Sequence, residues 1–394
     1  MRGPKEDFRH LSGRGILLIG RAPSVAQSYG YGYQMLKSFE VENFRAFHHL
    51  KLDNLSIVNI LVGRSASGKT ALLEAIRMAL GATPTVAWQL NLVRGMVIGI
   101  PMNPPREQFE AVWNSYFFDF DNSKTISFKL VDSDAREASL KIYFDKDRPV
   151  TPMSLNLPNV TNFPILTSTI IPLAFERTSF TGETSILDAT VSQQQHGQIF
   201  LQQGPEIGTV SEFFPSTWQS NSQQVAAWFS QLRISNRADD IVKIIHGQFP
   251  DVMDISSEMP HNFGSLYATV KHHSKKIPIS LISSGINKFV SLLIAIRTYR
   301  NGVILIDEIE NGIYYKMYPA FWEALHRFAA ENETQLFLST HSWECLKAAS
   351  AVIDKHSKDF SLIQITQDKG VSNALVTAGE NAAAAIEADI EVRK

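Results

Sequence analysis

Gly63-Arg64-Ser65-Ala66-Ser67-Gly68-Lys69-Thr70 fits the pattern G-x-x-x-x-G-K-[ST] at every fixed position. Before it, Ser56-Ile57-Val58-Asn59-Ile60-Leu61-Val62 reads as a buried strand, and after it Ala71 to Leu80 carries helical spacing. Strand, glycine-bearing turn and helix are the context in which this motif binds phosphate. The glycines let backbone N–H groups turn inward where a side chain would obstruct them. The helix aims its positive N-terminal end at the same anion. In this reading Lys69 bridges the β and γ phosphates of a nucleotide, and Thr70 ligates Mg²⁺ through its hydroxyl. Gly63, Ser65, Ser67 and Gly68 complete the cradle.

Two more apolar runs end in polar residues. Val303-Ile304-Leu305-Ile306-Asp307-Glu308 has the character of a strand buried on both faces, as in a parallel sheet. Carboxylates at its C-terminal end fall in the crevice where such sheets bind ligands. Asp307 is then the metal residue and Glu308 the general base that polarises the attacking water. Leu336-Phe337-Leu338-Ser339-Thr340-His341 is a second such strand, and His341 at its end is placed to donate to the γ-phosphate or the attacking water. Ile282-Ser283-Ser284-Gly285 precedes a helix carrying Phe289, Leu292, Leu293 and Ile296, which stops near Arg300-Asn301-Gly302. Serine at a helix start is more often a cap than a ligand, and its place directly before the acidic strand is what singles it out.

These elements resemble ABC-type ATPase heads of the SMC/RecF/OLD branch, in particular the stand-alone AAA-family ATPases of bacteria and archaea. The resemblance rests on Glu42-Asn43-Phe44-Arg45-Ala46-Phe47, the phosphate loop, Ser283-Ser284-Gly285, Asp307-Glu308-Ile309-Glu310-Asn311-Gly312 and Ser339-Thr340-His341-Ser342. Trp343-Glu344-Cys345 and Glu391-Val392-Arg393 also look like that group, and the likeness is weak only over 148–220. It implies an α/β P-loop NTPase fold, an ABC-ATPase-like head with a mixed sheet, an antiparallel β lobe and an inserted, mostly helical lobe. It implies ATP and Mg²⁺, and two heads sandwiching two ATP molecules. Carried over, Ser283 and Gly285 act in trans on the partner's γ-phosphate, and Arg45 lies near the nucleotide. Ser284 replaces the first glycine of the usual signature, and the residues after Glu308 lack the usual D-loop sequence. Gln89 is the only glutamine that offers itself, weakly, for the Q-loop.

The rest of the chain sets bounds. With 394 residues, 44% of them hydrophobic, there is material for a large core and two domains or one with a big insertion. A formal net charge of −2 argues against a general DNA-coating protein. One cysteine, Cys345, excludes a disulfide framework, a Cys-based zinc site and a zinc hook. No apolar run is long enough to span a membrane, and Gly15-Ile16-Leu17-Leu18-Ile19-Gly20 is too short for a signal peptide, so a cytoplasmic location is expected. Residues 1–34, with scattered arginines and Tyr29-Gly30-Tyr31-Gly32-Tyr33, read as a loose extension. Thr125 to Phe144 reads as a hairpin about Asp132-Ser133-Asp134, and helical spacing runs from Gln223 to Ile245. The expected organisation is 1–34 extension, 35–147 first part of the head, 148–270 inserted lobe and 271–394 second part of the head. Sustained heptads are absent, so no long coiled-coil arm is expected.

The leading function is an ATP-hydrolysing homodimer, or higher homo-oligomer, that drives or licenses a separate effector protein, in a DNA-repair or anti-phage defence setting. Nucleic acid is admitted as a further partner and a membrane is not. The runner-up is a nucleotide-gated clamp with slow turnover. A transporter subunit is disfavoured by the altered signature. The stretch after His341 is shorter than an ordinary domain, so any nuclease is expected on another chain.

Overall fold

The computed structural model describes residues 34–96, 104–150, 169–191, 199–207, 210–217, 222–368 and 371–387. The extension expected over 1–34 therefore lies, apart from Gln34, outside the described residues, as does Glu391-Val392-Arg393.

In chain order, β1 (Leu36–Phe44) and β2 (Phe47–Asp53) form a hairpin closed by the Phe44–Phe47 pair. Then come β3 (Val58–Val62), α1 (Lys69–Gly81), α2 (Pro84–Val93) and α3 (Arg106–Asn114). The expected hairpin is β4 (Ile126–Asp132) with β5 (Glu137–Phe144). β6 (Leu173–Thr178), β7 (Thr184–Val191) and β8 (Ile199–Leu201) extend the same antiparallel sheet, whose order is β2-β1-β4-β5-β6-β7-β8. After β9 (Ser211–Phe214) come α4 (Ser222–Ile234) and α5 (Asp239–Gln248). A small sheet follows, of β10 (Val252–Glu258), β11 (Ser265–Val270) and β12 (Ile277–Pro278). The chain continues through α6 (Ile279–Ile282), α7 (Ser284–Thr298), β13 (Val303–Ile306) and α8 (Tyr318–Asn332). It closes with β14 (Gln335–Ser339), α9 (Trp343–Lys355), β15 (Phe360–Asp368), β16 (Val371–Ala378) and α10 (Gly379–Glu387).

The second large sheet has the order β16-β15-β3-β14-β13-β9 and is parallel except for the β15–β16 pair. Its central strands are buried throughout and mostly apolar because both faces are covered. Val58, Ile60, Val62, Ile304, Ile306, Leu336 and Leu338 face one core, with α4, α7, α8 and α9. Leu61, Val303, Leu305 and Phe337 face the other, which α1 and the antiparallel sheet complete. Helix α1 lies between two sheets, so Leu72, Leu73, Ala75, Ile76, Met78, Ala79 and Leu80 are all buried. At about 1.5–3 kcal/mol for each large side chain taken from water, this burial fixes the helix that carries the phosphate loop. Asn59, the one polar residue of β3, is satisfied: its amide donates to Ser56 and Leu336 carbonyls and its oxygen accepts from Ser361.

Residues 148–270 do not form a single inserted lobe. β6, β7 and β8 belong to the antiparallel sheet, β9 is the edge of the parallel sheet, and α4 and α5 pack on the α7 layer with the small sheet. The polar composition concealed these strands: β9 reads Ser-Glu-Phe-Phe, too short for any period to show. The helical run from Gln223 is two helices, broken where Asn236 takes a left-handed φ of 55°.

Candidate functional site

The parallel sheet brings the C-terminal ends of β3, β13 and β14 side by side, since Ile306 pairs with Leu338 and Leu338 with Ile60. The phosphate loop, the acidic pair and the Ser339-Thr340-His341 turn leave from these ends.

Gly63 has φ of 148°, and a Cβ there would stand 2.3 Å from the Ile365 carbonyl oxygen, so no other residue fits. Gly68, at φ 108°, starts α1 without a side-chain cap. The first N–H groups of the helix are thereby left to an anion rather than to the protein. Lys69 is buried, and its ammonium donates 2.8 Å bonds to the carbonyls of Gly63 and Arg64. Burial holds its pKa below the usual lysine value, against the pull of Asp307, Glu308 and Glu310. The buried Ser67 hydroxyl has no partner inside the protein, whereas Ser65 is exposed on the loop. An orphaned buried hydroxyl beside uncapped N–H groups fits a phosphate.

Asp307 joins the three strands. One carboxylate oxygen accepts from Thr70 Oγ1 at 2.9 Å and the other from Ser339 Oγ at 2.5 Å. A hydroxyl and a carboxylate oxygen in contact are a hard donor set suited to Mg²⁺. Glu308 takes a left-handed φ of 48°, a strain on the order of 1–3 kcal/mol for a non-glycine residue. Its N–H donates to Ser339 Oγ at 2.8 Å and its Oε2 accepts from Asn311 at 2.5 Å. The exposed His341 has Nε2 3.8 Å from Glu308 Oε1, so the two expected catalytic residues do lie together. Glu310 secures this corner by accepting from the N–H groups of His341 and Ser342.

Ser283 and Ser284 are exposed, and the Ser283 hydroxyl caps α7 by accepting from Gly285 N–H at 3.2 Å. Gly285 is buried instead, and a Cβ there would meet the Gly312 carbonyl oxygen at 2.2 Å. Of the signature pair, only the serine presents a side chain to an outside group. Arg45 lies behind α1, with Nε 3.0 Å from Glu74 and its guanidinium 4.8 Å from the Tyr116 ring centre. The structure thus uses the Arg45 charge on Glu74, which also accepts two bonds from Arg94 at 2.6 and 2.8 Å. Gln89 is exposed on α2. The strand that flanks the acidic strand on its free side is β9, through Ile306–Phe214 pairing.

Sequence reasoning did not single out Lys288 or Arg94. Lys288, one turn into α7, donates to the Glu308 carbonyl at 3.1 Å, and burial lowers its pKa against the pull of Glu310, Glu308 and Asp307. Its position three residues after Gly285 was the available signal, because i and i+3 share a helix face. Arg94 feels Asp307 as well as Glu74, and nothing in its local sequence marks it.

The family model "AAA domain" matches residues 38–148, and the model "AAA domain, putative AbiEii toxin, Type IV TA system" matches residues 180–345. An "ATP/GTP phosphatase" of Helicobacter pylori is 22% identical over 363 residues, covering 83% of this chain and 90% of that protein. An uncharacterised protein of Methanocaldococcus jannaschii is 30% identical over 64 residues, 16% of this chain and 29% of its own. Among solved structures, the SMC head domain from Thermotoga maritima has 13% identity and a TM-score of 0.42, covering 87% of this chain and 99% of its own. An Smc head bound to the C-winged helix domain of ScpA has 12% identity and a TM-score of 0.47, covering 88% and 99%. Over residues 38–148 and 180–345 the chain thus resembles AAA-domain proteins.

Proposed function

We propose that this ATPase head hydrolyses ATP within a head-to-head homodimer, and that closure of the dimer licenses a separate effector protein. The observation that carries the reading is the meeting of Thr70, Asp307 and Ser339 at one point, with Glu308 and His341 beside it. Groups from three strand ends converge on the place where the phosphate loop would hold a γ-phosphate.

The loop N–H groups, Ser67 and Lys69 bind and orient the phosphates; Lys69 exchanges its two carbonyl partners for phosphate oxygens. Mg²⁺, held by Thr70 and Asp307, would neutralise charge on the β and γ oxygens. Glu308 takes the proton of the attacking water, with Asn311 and the Ser339 hydroxyl fixing its position. His341, within 3.8 Å of Glu308, holds that water or a γ-oxygen through its imidazole N–H. The exposed Ser283 at the N-terminus of α7 serves the γ-phosphate of the facing subunit. An effector, rather than this chain, carries the output: Asp307 and Glu308 are committed to ATP, whereas two-metal phosphodiester cleavage needs a further acidic cluster. A DNA-repair or defence setting comes from the resemblance alone.

The test is complementation. Lys69→Ala and Ser283→Arg should each be inactive, the first without nucleotide affinity and the second with it. Mixed, they form heterodimers with one composite site carrying both lesions and one carrying neither, so hydrolysis should partly return. Normal turnover by Ser283→Arg alone would sink the head-to-head reading.

A further inference from the structure

We propose that His326, His356 and Asp359 bind one divalent transition-metal ion of the zinc class, at the end of the parallel sheet remote from the phosphate loop. Asp359 immediately precedes Phe360, which pairs with Val58, the first residue of β3; the phosphate loop follows Val62, the last. About 13 Å of strand separates the two ends, so the ion is independent of nucleotide chemistry.

His326 projects from the middle of α8 and is only 7% exposed. Its Nε2 stands 2.9 Å from Asp359 Oδ2. His356, the C-cap of α9, lies face to face with it at 4.2 Å between ring centres, and Phe360 stacks on His326 at 5.3 Å. One ligand atom from each of the three residues lies within 4.8 Å of the other two. Ligands about 2.1 Å from a tetrahedral ion stand about 3.4 Å apart. The His326–Asp359 pair is already close to that spacing. The exposed His356 reaches it by rotating its side chain, with no backbone movement.

The chemistry of the set agrees. Two imidazoles and a carboxylate suit zinc, copper or nickel rather than the oxygen-loving Mg²⁺ of the phosphate loop. A hydrogen-bonded pair would account for His326 and Asp359 but leaves the second stacked ring without a purpose. Neutral imidazole is the form that ligates a metal ion. Glu323, on α8, accepts from Lys355 at 2.9 Å and feels both imidazoles more weakly. A bound ion would join α8 to the α9–β15 connection, clamping the elements that follow the acidic strand and the histidine turn.

The experiment is zinc titration of the full-length, untagged chain without nucleotide, near neutral pH, by calorimetry, with thermal melting alongside. One saturable equivalent and a raised Tm are expected. His356→Ala, a change at an exposed residue, should weaken binding at least about tenfold and abolish the Tm increase. Asp359→Asn should do the same. His49→Ala, which disrupts the surface group Glu40, Glu42 and His49, should change neither. The proposal is overturned if no saturable binding is seen, or if binding survives both His356→Ala and Asp359→Asn.

Discussion

Replacing Gly285 by alanine tests how the signature helix is used. The added Cβ would stand 2.2 Å from the Gly312 carbonyl oxygen and 3.3 Å from its carbon. An ordinary C···O contact is about 3.3–3.6 Å, so α7 and the loop after Glu308 must part by about 1 Å. Neither side yields cheaply. Both atoms are backbone, and Gly312 sits in a turn at φ 76°. The same loop is tied by Asn311 N–H to the Glu308 carbonyl and by Ile313 N–H to the Glu310 carbonyl, each at 3.0 Å. The displacement therefore reaches Glu308. Overpacking of this kind costs about 1–3 kcal/mol of stability. A misplacement of about 1 Å at reacting groups costs about a hundredfold in rate. Steady-state hydrolysis should fall by about that factor and Tm should drop, while calorimetry finds ATP affinity unchanged, because the phosphate loop stands on β3 and α1. Ser283→Ala, which also removes the cap of α7, should cost about 1 kcal/mol of stability. Wild-type turnover and melting in Gly285→Ala would refute the argument that this glycine holds its own chain's acidic loop.

Three further outcomes follow from named contacts. Glu308→Gln should bind ATP yet hydrolyse it about a hundredfold more slowly, and should accumulate as an ATP-dependent dimer by light scattering; unchanged turnover would move the base elsewhere. Burial pushes the Cys345 thiol up to about 12, so the folded state keeps a proton that the unfolded chain releases above about 9. Native protein should resist maleimide at mildly alkaline pH, and the stability advantage of wild type over Cys345→Ala should shrink as pH rises from about 9 towards 12, as denaturant titrations would show. Tyr299→Phe should cost about 1–3 kcal/mol, since it removes the 2.8 Å hydroxyl donor to Glu212, a carboxyl that burial already raises above the usual range; urea unfolding measures it.

The nucleotide end of the molecule was legible because its residues obey short-range rules. A phosphate loop needs glycine at left-handed φ, and a strand buried on both faces is mostly apolar. Gly63, Gly68, Val303–Ile306 and Gln335–Ser339 therefore announce themselves. Asp307 and Glu308 could be placed by sheet geometry alone. What escaped depends on contacts across long separations. β9 joins β13 from about ninety residues away with a four-residue strand that has no period. Arg94 and Arg45 converge on Glu74, and no local pattern specifies that a carboxylate inside α1 takes two arginines. Residues 148–270 misled because composition reports solvent exposure of loops more strongly than pairing of the strands between them.

The glycine of the signature illustrates where motif and structure part. As a motif residue, Gly285 reads as a backbone reserved for a phosphate on another subunit. In the fold its missing side chain is already required at home, by the Gly312 carbonyl, and Lys288 on the same helix face donates to the Glu308 carbonyl. The far end of α7 is engaged too. Tyr299 donates to Glu212 on β9, and Arg77 of α1 donates to Ser211 on the same strand at 2.7 Å. One rigid helix thus touches the acidic loop at its start and, through β9, the phosphate-loop helix at its end. A force on the exposed Ser283 from a facing subunit would act directly on the residues that position Glu308. In the proposed dimer, that arrangement would couple closure to hydrolysis by packing alone, with the serine as contact and the glycine as fulcrum.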